Sequence, residues 1–266
     1  MASRVHRRAL LPRHSDRLTV QPDETVRLTW ENQHRPHALI LMRKLLEVIV
    51  TSGAEAQAAE RGGADRLELV RDLDVGGLSP SLDIVAEVLA TSSIPVRVML
   101  RETPDFTAGN KAAIEELEHR AMEFRLAGAN QFVMGFIRDG MIDEASIGDI
   151  LGKVPGCQVT FHRAIEAVTD PISAVGRLKT FQQIDRVLTS GPPGDWGAKR
   201  EFLEQLQEAS RPDITVVVGG GLDENSLALL AQSELLNEFH VGKAARHSSG
   251  VVSEERVRHL CQQLRA

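Results

Sequence analysis

The sequence predicts an α/β chain folded as a (β/α)8 TIM barrel, and three observations predict it. Eight short β-rich runs alternate with eight helical patterns between Leu45 and Ala266, the rhythm of strand and crossover helix in a parallel sheet. No composition break divides them into smaller units. The first strand leads into Thr51-Ser52-Gly53-Ala54, which lacks the glycine fingerprint common after the first strand of an open dinucleotide-binding sheet, the competing architecture.

The strands are expected at Leu46–Val50, Arg66–Val70, Val96–Arg101, Gln131–Phe136, Gln158–Arg163, Arg186–Ser190, Thr215–Val218 and Glu238–Val241. Each is short and carries the β-branched or aromatic residues that suit a pleated, half-buried surface. The helices are expected at Ala54–Arg61, Ser81–Thr91, Lys111–Ala127, Glu144–Leu151, Pro171–Thr180, Ala198–Ala209, Glu224–Gln232 and Ser253–Leu264. These segments are rich in Ala, Leu, Glu, Gln and Arg, with apolar residues three or four apart. Ser79-Pro80 and Asp170-Pro171 resemble a cap followed by a first-turn proline, and Gly62-Gly63 and Gly128 stop helices just before a strand. The phrase Gly-Ala-Asp/Asn precedes two of the strands, at Gly63-Ala64-Asp65 and Gly128-Ala129-Asn130, as a repeated unit would.

Residues 1–44 are different material and form an N-terminal extension to the barrel of residues 45–266. The first fifteen hold Arg4, Arg7, Arg8 and Arg13 without an acid, and a polar stretch without clear period follows. Too few serines and no amphipathic face argue against a transit peptide, so disorder is the expectation. Across the chain, 31 basic and 37 acidic side chains give a formal charge of −6, with no Tyr and two Trp. That removes both the basic surface and the stacking rings on which nucleic-acid binding relies. No apolar run has the length of a membrane span. The two cysteines, Cys157 and Cys261, make no disulfide framework and suit a reducing, cytoplasmic location.

Alternate residues of a barrel strand face the helices and the lumen. Leu46, Val48 and Val50 mark the outward parity, which turns Glu47 and Ile49 inward. The same count sends Arg66, Glu68, Arg97, Met99, Arg101, Thr160, His162, Arg186, Glu238 and His240 into the lumen. Aliphatic side chains are the simplest filling, so these charges must neutralise one another or a ligand. Arg66, Arg97 and Arg186, near the N-terminal strand ends, suit internal salt bridges. Glu68, Arg101 and His162 lie near the C-terminal ends, where barrels place their chemistry, and are the catalytic candidates. Glu47, Arg163, Ser190, His240 and Lys243 are the ligand-binding candidates, together with Gly219, Gly220 and Gly221. Glycines let backbone N–H groups converge after the seventh strand, and Lys243 after the eighth adds charge, as an anion site would require; a tight turn alone explains the glycines equally well. His162, His240 and Glu68 could converge on a divalent ion, though no zinc-binding spacing fixes their geometry and the metal assignment stays open.

These residues resemble the CutC family of copper homeostasis proteins. The likeness runs from Leu46-Glu47-Val48 through the stretch Ala58 to Leu69, then Gly76-Gly77-Leu78-Ser79-Pro80-Ser81 and the stretch Ile94 to Arg101. It continues through Val159-Thr160-Phe161-His162-Arg163-Ala164, the stretch Asp185 to Gly191, Gly219-Gly220-Gly221 and Glu238-Phe239-His240. The resemblance implies a cytoplasmic homo-oligomeric barrel connected with copper, held in some members by cysteines on the first two strands. At those positions this chain has Ile49 and Val70, which rules out thiolate coordination there. Cuprous copper prefers sulfur, and the sulfurs nearest the lumen are Met99 and Met134. The loop after the third strand also departs from the family: Glu102-Thr103-Pro104-Asp105-Phe106 replaces a proline, an arginine and paired glycines. The resemblance favours a copper homeostasis protein acting through copper or indirectly. The polar lumen favours a barrel enzyme, a lyase, isomerase or hydrolase on a small phosphorylated or sugar-like anion. There Arg101, Arg163 and Lys243 would hold charge and Glu68 or His162 would move a proton. A third reading is a non-catalytic oligomeric scaffold whose lumen is filled by its own side chains.

Overall fold

Eight parallel strands close into a barrel in a computed structural model that describes residues 43–266. They are β1 (Leu45–Val50), β2 (Arg66–Leu69), β3 (Val96–Met99), β4 (Gln131–Met134), β5 (Gln158–Phe161), β6 (Ile184–Thr189), β7 (Thr215–Val218) and β8 (Glu238–Val241). Sequential strands are neighbours, and β8 pairs back onto β1 with Glu47 opposite His240. The helices that follow them are α1 (Gly53–Gly62), α2 (Leu82–Thr91), α3 (Lys111–Leu126), α4 (Glu144–Lys153), α5 (Pro171–Leu178), α6 (Trp196–Ser210), α7 (Glu224–Leu230) and α8 (Glu254–Arg265). The expectation of disorder over residues 1–42 lies outside the described residues.

Local chemistry sets the helix ends. The Ser52 hydroxyl accepts the Glu55 N–H at the start of α1, Asp170 accepts the Ile172 and Ser173 N–H groups before Pro171 in α5, and Asp223 forms a reciprocal capping box with Ser226. Ser79-Pro80 is not a cap. The helix starts at Leu82 instead, because the Ser79 hydroxyl accepts the Arg101 N–H at 2.9 Å and donates to the Arg101 carbonyl at 3.1 Å. That serine thus ties the loop after β2 to the chain leaving β3. Several strands also end one or two residues before their expected limits, where the chain turns to form the mouth of the barrel. The short hairpin Ile137–Arg138 with Met141–Ile142 is too brief to leave a periodic trace in sequence.

The main core lies between sheet and helices. Leu46, Val48 and Val50 are fully buried in it, as their parity requires. A second, small apolar cluster of Val70, Met99 and Val133, with Ile49 and Leu73 packed against it, sits on the lumen side. Met134, next to Val133 on β4, therefore faces the helices and joins the main core. One irregularity affects the lumen directly. Val159 pairs with Ile184 but Thr160 pairs with Arg186, so Asp185 is the extra residue of a β-bulge. Both Asp185 and Arg186 then reach inward, where strict alternation would admit only one.

Candidate functional site

Charges in the lumen pair off in a continuous line. Glu47 bonds Arg66, and Arg66 Nη2 lies 2.7 Å from Glu238 Oε2. Arg186 clasps Glu238 through Nε and Nη2 at 2.7 and 2.9 Å and also bonds Asp185. Arg97 grips Asp185 with two bonds of 2.9 and 2.8 Å and reaches Thr160 Oγ1 at 2.9 Å. Three carboxylates thus meet three guanidinium groups, and the line is electrically neutral. Buried ions need such pairing, since each alone carries a large desolvation cost. Asp185 is the member that sequence parity misses, because the bulge that turns it inward has no signature in residue type.

Glu68 stands outside this line. Its nearest charged neighbour is His240, whose Nδ1 lies 2.8 Å from Glu47 Oε1 and 3.2 Å from Glu68 Oε2. One ring proton serves one acceptor well, and Glu68 Oε2 is left buried without a hydrogen bond. Burial pushes the Glu68 carboxyl up, His240 opposes that and the negative Glu47 adds to it, so it sits at about 7. Burial also acts on Glu47, but Arg66 and His240 outweigh it and hold that carboxyl well below the usual range. The His240 imidazole is raised: burial disfavours its charge, and Glu68 and Glu47 more than compensate.

Glu47, Glu68 and His240 present ligand-type atoms within 4.8 Å of one another. As folded, the imidazole bonds Glu47 and the Arg66 guanidinium neutralises that carboxylate, so the group balances its charge internally. His162 does not join it. That ring packs against Phe106 and Phe161, with Nδ1 accepting the Ala164 N–H at 3.2 Å and Nε2 buried without a partner. Burial first, and then the positive Arg101, push His162 down to about 3, so the ring is neutral.

The mouth holds two adjoining cavities that share Glu68, Gly76 and Arg163, one of about 260 Å3 and one of about 620 Å3. Met99, Arg101, Phe106, His162 and Leu188 line the smaller; Ile49, Val70, Gly220, Gly221, His240 and Lys243 line the larger. A lumen packed solid by its own side chains is excluded by this space. Arg101 is heavily engaged: its guanidinium donates to the Thr103 carbonyl at 2.9 Å and to the Pro104 carbonyl, and lies over the Phe106 ring. It knits the mouth loops together. Arg163 is half-exposed and paired with Glu166, which also accepts the Ser190 N–H at 2.6 Å. Glu166 was not among the sequence candidates, and it positions two residues that were. Lys243 is exposed and has no ion pair among the described residues.

The three glycines differ in role. A side chain at Gly219 would strike Leu188 and His240 at under 3 Å, so its absence lets β7 approach the His240 ring. Gly220 has φ of +93° and lies against Ser190 and Arg163. Asp223 occupies the cap of the short helix beyond.

Cuprous copper does not fit this donor set. Among the described residues Met99 is the only sulfur lining either cavity. Cys157 lies just before β5, on the opposite end of the barrel, and Cys261 in α8 donates to the Gly63 carbonyl. Burial raises both thiols, Cys261 to about 11, which disfavours the thiolate that copper needs.

The model of the CutC family matches residues 44–245. A copper homeostasis protein cutC homolog of Homo sapiens is 35% identical over 212 residues, covering 78% of this chain and 76% of its own length. A CutC family protein of Xanthomonas axonopodis pv. citri is 33% identical over 196 residues, covering 73% and 81%. Among solved structures, a copper homeostasis protein CutC from Streptococcus agalactiae superposes with a TM-score of 0.67 at 22% identity, over 75% of this chain and 98% of its own. A phosphonomutase-like protein of Burkholderia cenocepacia gives 0.57 at 18% identity, over 77% and 90%. At those identities the structural likeness carries the fold alone.

Proposed function

Because the chain belongs to the CutC family, we propose that it serves copper homeostasis indirectly, as a barrel enzyme moving a proton on a small anionic molecule. One observation carries this reading: Glu68 is the lumen carboxyl that no guanidinium holds. It has a free oxygen and borders both cavities. A carboxyl at about 7 is divided between acid and base near neutrality, where general acid–base catalysis is most effective. His240 steadies the anion when it forms. Lys243 at the rim supplies positive charge for an anionic substrate, beside Arg163, whose charge Glu166 already shares. The cytoplasmic location and the homo-oligomer that family membership suggests belong to the same proposal. Two free cysteines suit a reducing compartment, and light scattering on the purified chain tests the assembly.

A panel of small phosphorylated and carboxylated metabolites, with inorganic phosphate alongside, tests the reading through the melting temperature, which a bound ligand raises. Binders are then followed in D2O by proton NMR, where Glu68→Gln is expected to slow exchange by about 10²–10⁴-fold. A silent panel, or exchange indifferent to Glu68→Gln, overturns the proposal. Cuprous ion added to reduced, metal-free protein is expected to bind no more tightly than to free methionine. Tighter uptake would favour the direct copper reading.

A further inference from the structure

We propose that His162 is the hydrogen-bond donor that holds the oxygen on which negative charge builds when Glu68 removes a proton. The substrate class is then a small carbonyl compound with a C–H bond next to the carbonyl. This inference rests on the acid–base reading of Glu68 and adds a partner and a chemical class to it.

The tautomer follows from one contact. The Ala164 N–H donates to Nδ1 of His162 at 3.2 Å, so that nitrogen offers its lone pair and the neutral ring carries its hydrogen on Nε2. Gly135 packs against the Nδ1 and Cε1 edge: a side chain there would come within 2.7 Å of Nδ1. The Phe106 ring, tilted with its centroid 5.3 Å away, and the Phe161 ring, edge-on at 6.2 Å, pack against the imidazole and restrict its rotation. What remains is a buried Nε2–H donor without a partner, on a ring that lines the cavity bordered also by Glu68 and Arg163. An N–H left without a partner on a cavity-lining ring is able to donate to an acceptor oxygen of a bound ligand. Burial and the neighbouring positive Arg101 keep the ring neutral, at about 3. A neutral imidazole polarises a carbonyl without surrendering its own proton, the use a barrel isomerase makes of a lowered histidine.

The step balances without a co-reactant. Glu68 in its anionic form takes the proton from carbon, the C–H electron pair becomes the C=C bond of an enolate, and the carbonyl π pair moves to oxygen facing Nε2–H. Return of a proton from Glu68 to the same carbon, after that carboxyl has exchanged with water, re-forms the carbonyl and gives a product with its hydrogen exchanged.

Proton–nitrogen NMR of protein labelled at histidine tests this directly, with oxalate and phosphoglycolohydroxamate as flat mimics of an enolate and acetate as the control. The ligand-free spectrum is expected to show His162 with a protonated Nε2 and a bare Nδ1. At least one mimic should move the Nε2–H proton downfield while acetate does not. His162→Phe is expected to weaken that mimic at least tenfold, and His162→Gln, which keeps a donor, to restore most of the loss. The opposite tautomer overturns the inference. So does a mimic that raises the melting temperature but leaves Nε2–H unmoved, and the acid–base reading of Glu68 then survives. Absence of any response to both mimics counts against the inference and that reading together.

Discussion

Glu68 and Glu238 are both buried carboxyl groups of the same lumen, yet they answer to different neighbours. Glu238 bonds Arg66 and Arg186 at once, so Glu238→Ala leaves the buried line with one uncompensated positive charge and is expected to cost about 3–5 kcal/mol in urea unfolding. Glu68 supports no arginine. Glu68→Gln should therefore leave stability unchanged or slightly raised while proton transfer fails, a separation that unfolding and turnover measurements on the two variants make visible. Most of these positions follow from strand parity. The outward Leu46, Val48 and Val50 place Glu47 inside, and the same alternation places Arg66, Glu68, Arg97, Glu238 and His240. Partner choice does not follow from parity, because it depends on side-chain reach across the barrel and on Asp185, which alternation alone would turn outward.

Strands and loops divide the work at the next scale up. The strands supply the charged line, and the loops supply the cavity walls through Arg101, Phe106, Arg163 and Lys243. Arg101 illustrates the limit of reading strands alone. Counted as an inward strand residue, it lies instead beyond the end of β3, where the turning chain brings several carbonyls to its guanidinium. The loop sequence Thr103-Pro104-Asp105-Phe106 makes that arrangement, and no spacing rule announces it. Gly219 matters in a different way, as the point where β7 passes the His240 ring. Gly219→Ala is expected to destabilise by roughly 1–3 kcal/mol through overpacking and to shift the His240 ring resonances in NMR spectra. Unchanged resonances would show that β7 does not set the position of that ring.

For the molecule as a whole, the titrating groups give opposite slopes with pH. His162 is lowered to about 3, so the unfolded chain takes up a proton that the folded ring refuses, and stability falls as pH drops below about 6.5. Glu68 is raised to about 7, so the folded state resists its ionisation and stability falls as pH rises from about 4.5 toward 7. The raised His240 adds to that second slope, its contribution being lost as pH climbs through its folded value. Unfolding midpoints against pH are expected to show Glu68→Gln without the loss of stability between about pH 4.5 and 7, and His162→Phe without the loss as pH drops from about 6.5 toward 3. Turnover should instead rise with pH through the Glu68 ionisation. The eight-fold alternation of strand and helix was legible from periodicity and caps, and so was the charged lumen. The hairpin after β4 and the bulge in β6 were not, being set by contacts between distant segments.

Glu68 can move a proton near neutrality only because no guanidinium holds it, and its side-chain carboxyl can be followed directly by carbon NMR during a pH titration. A midpoint near 7, moving with the His240 ring and absent in Glu68→Gln, is the predicted result. A midpoint at the ordinary glutamate value of about 4.3 would contradict it, since the carboxyl would then be as well held as its neighbours.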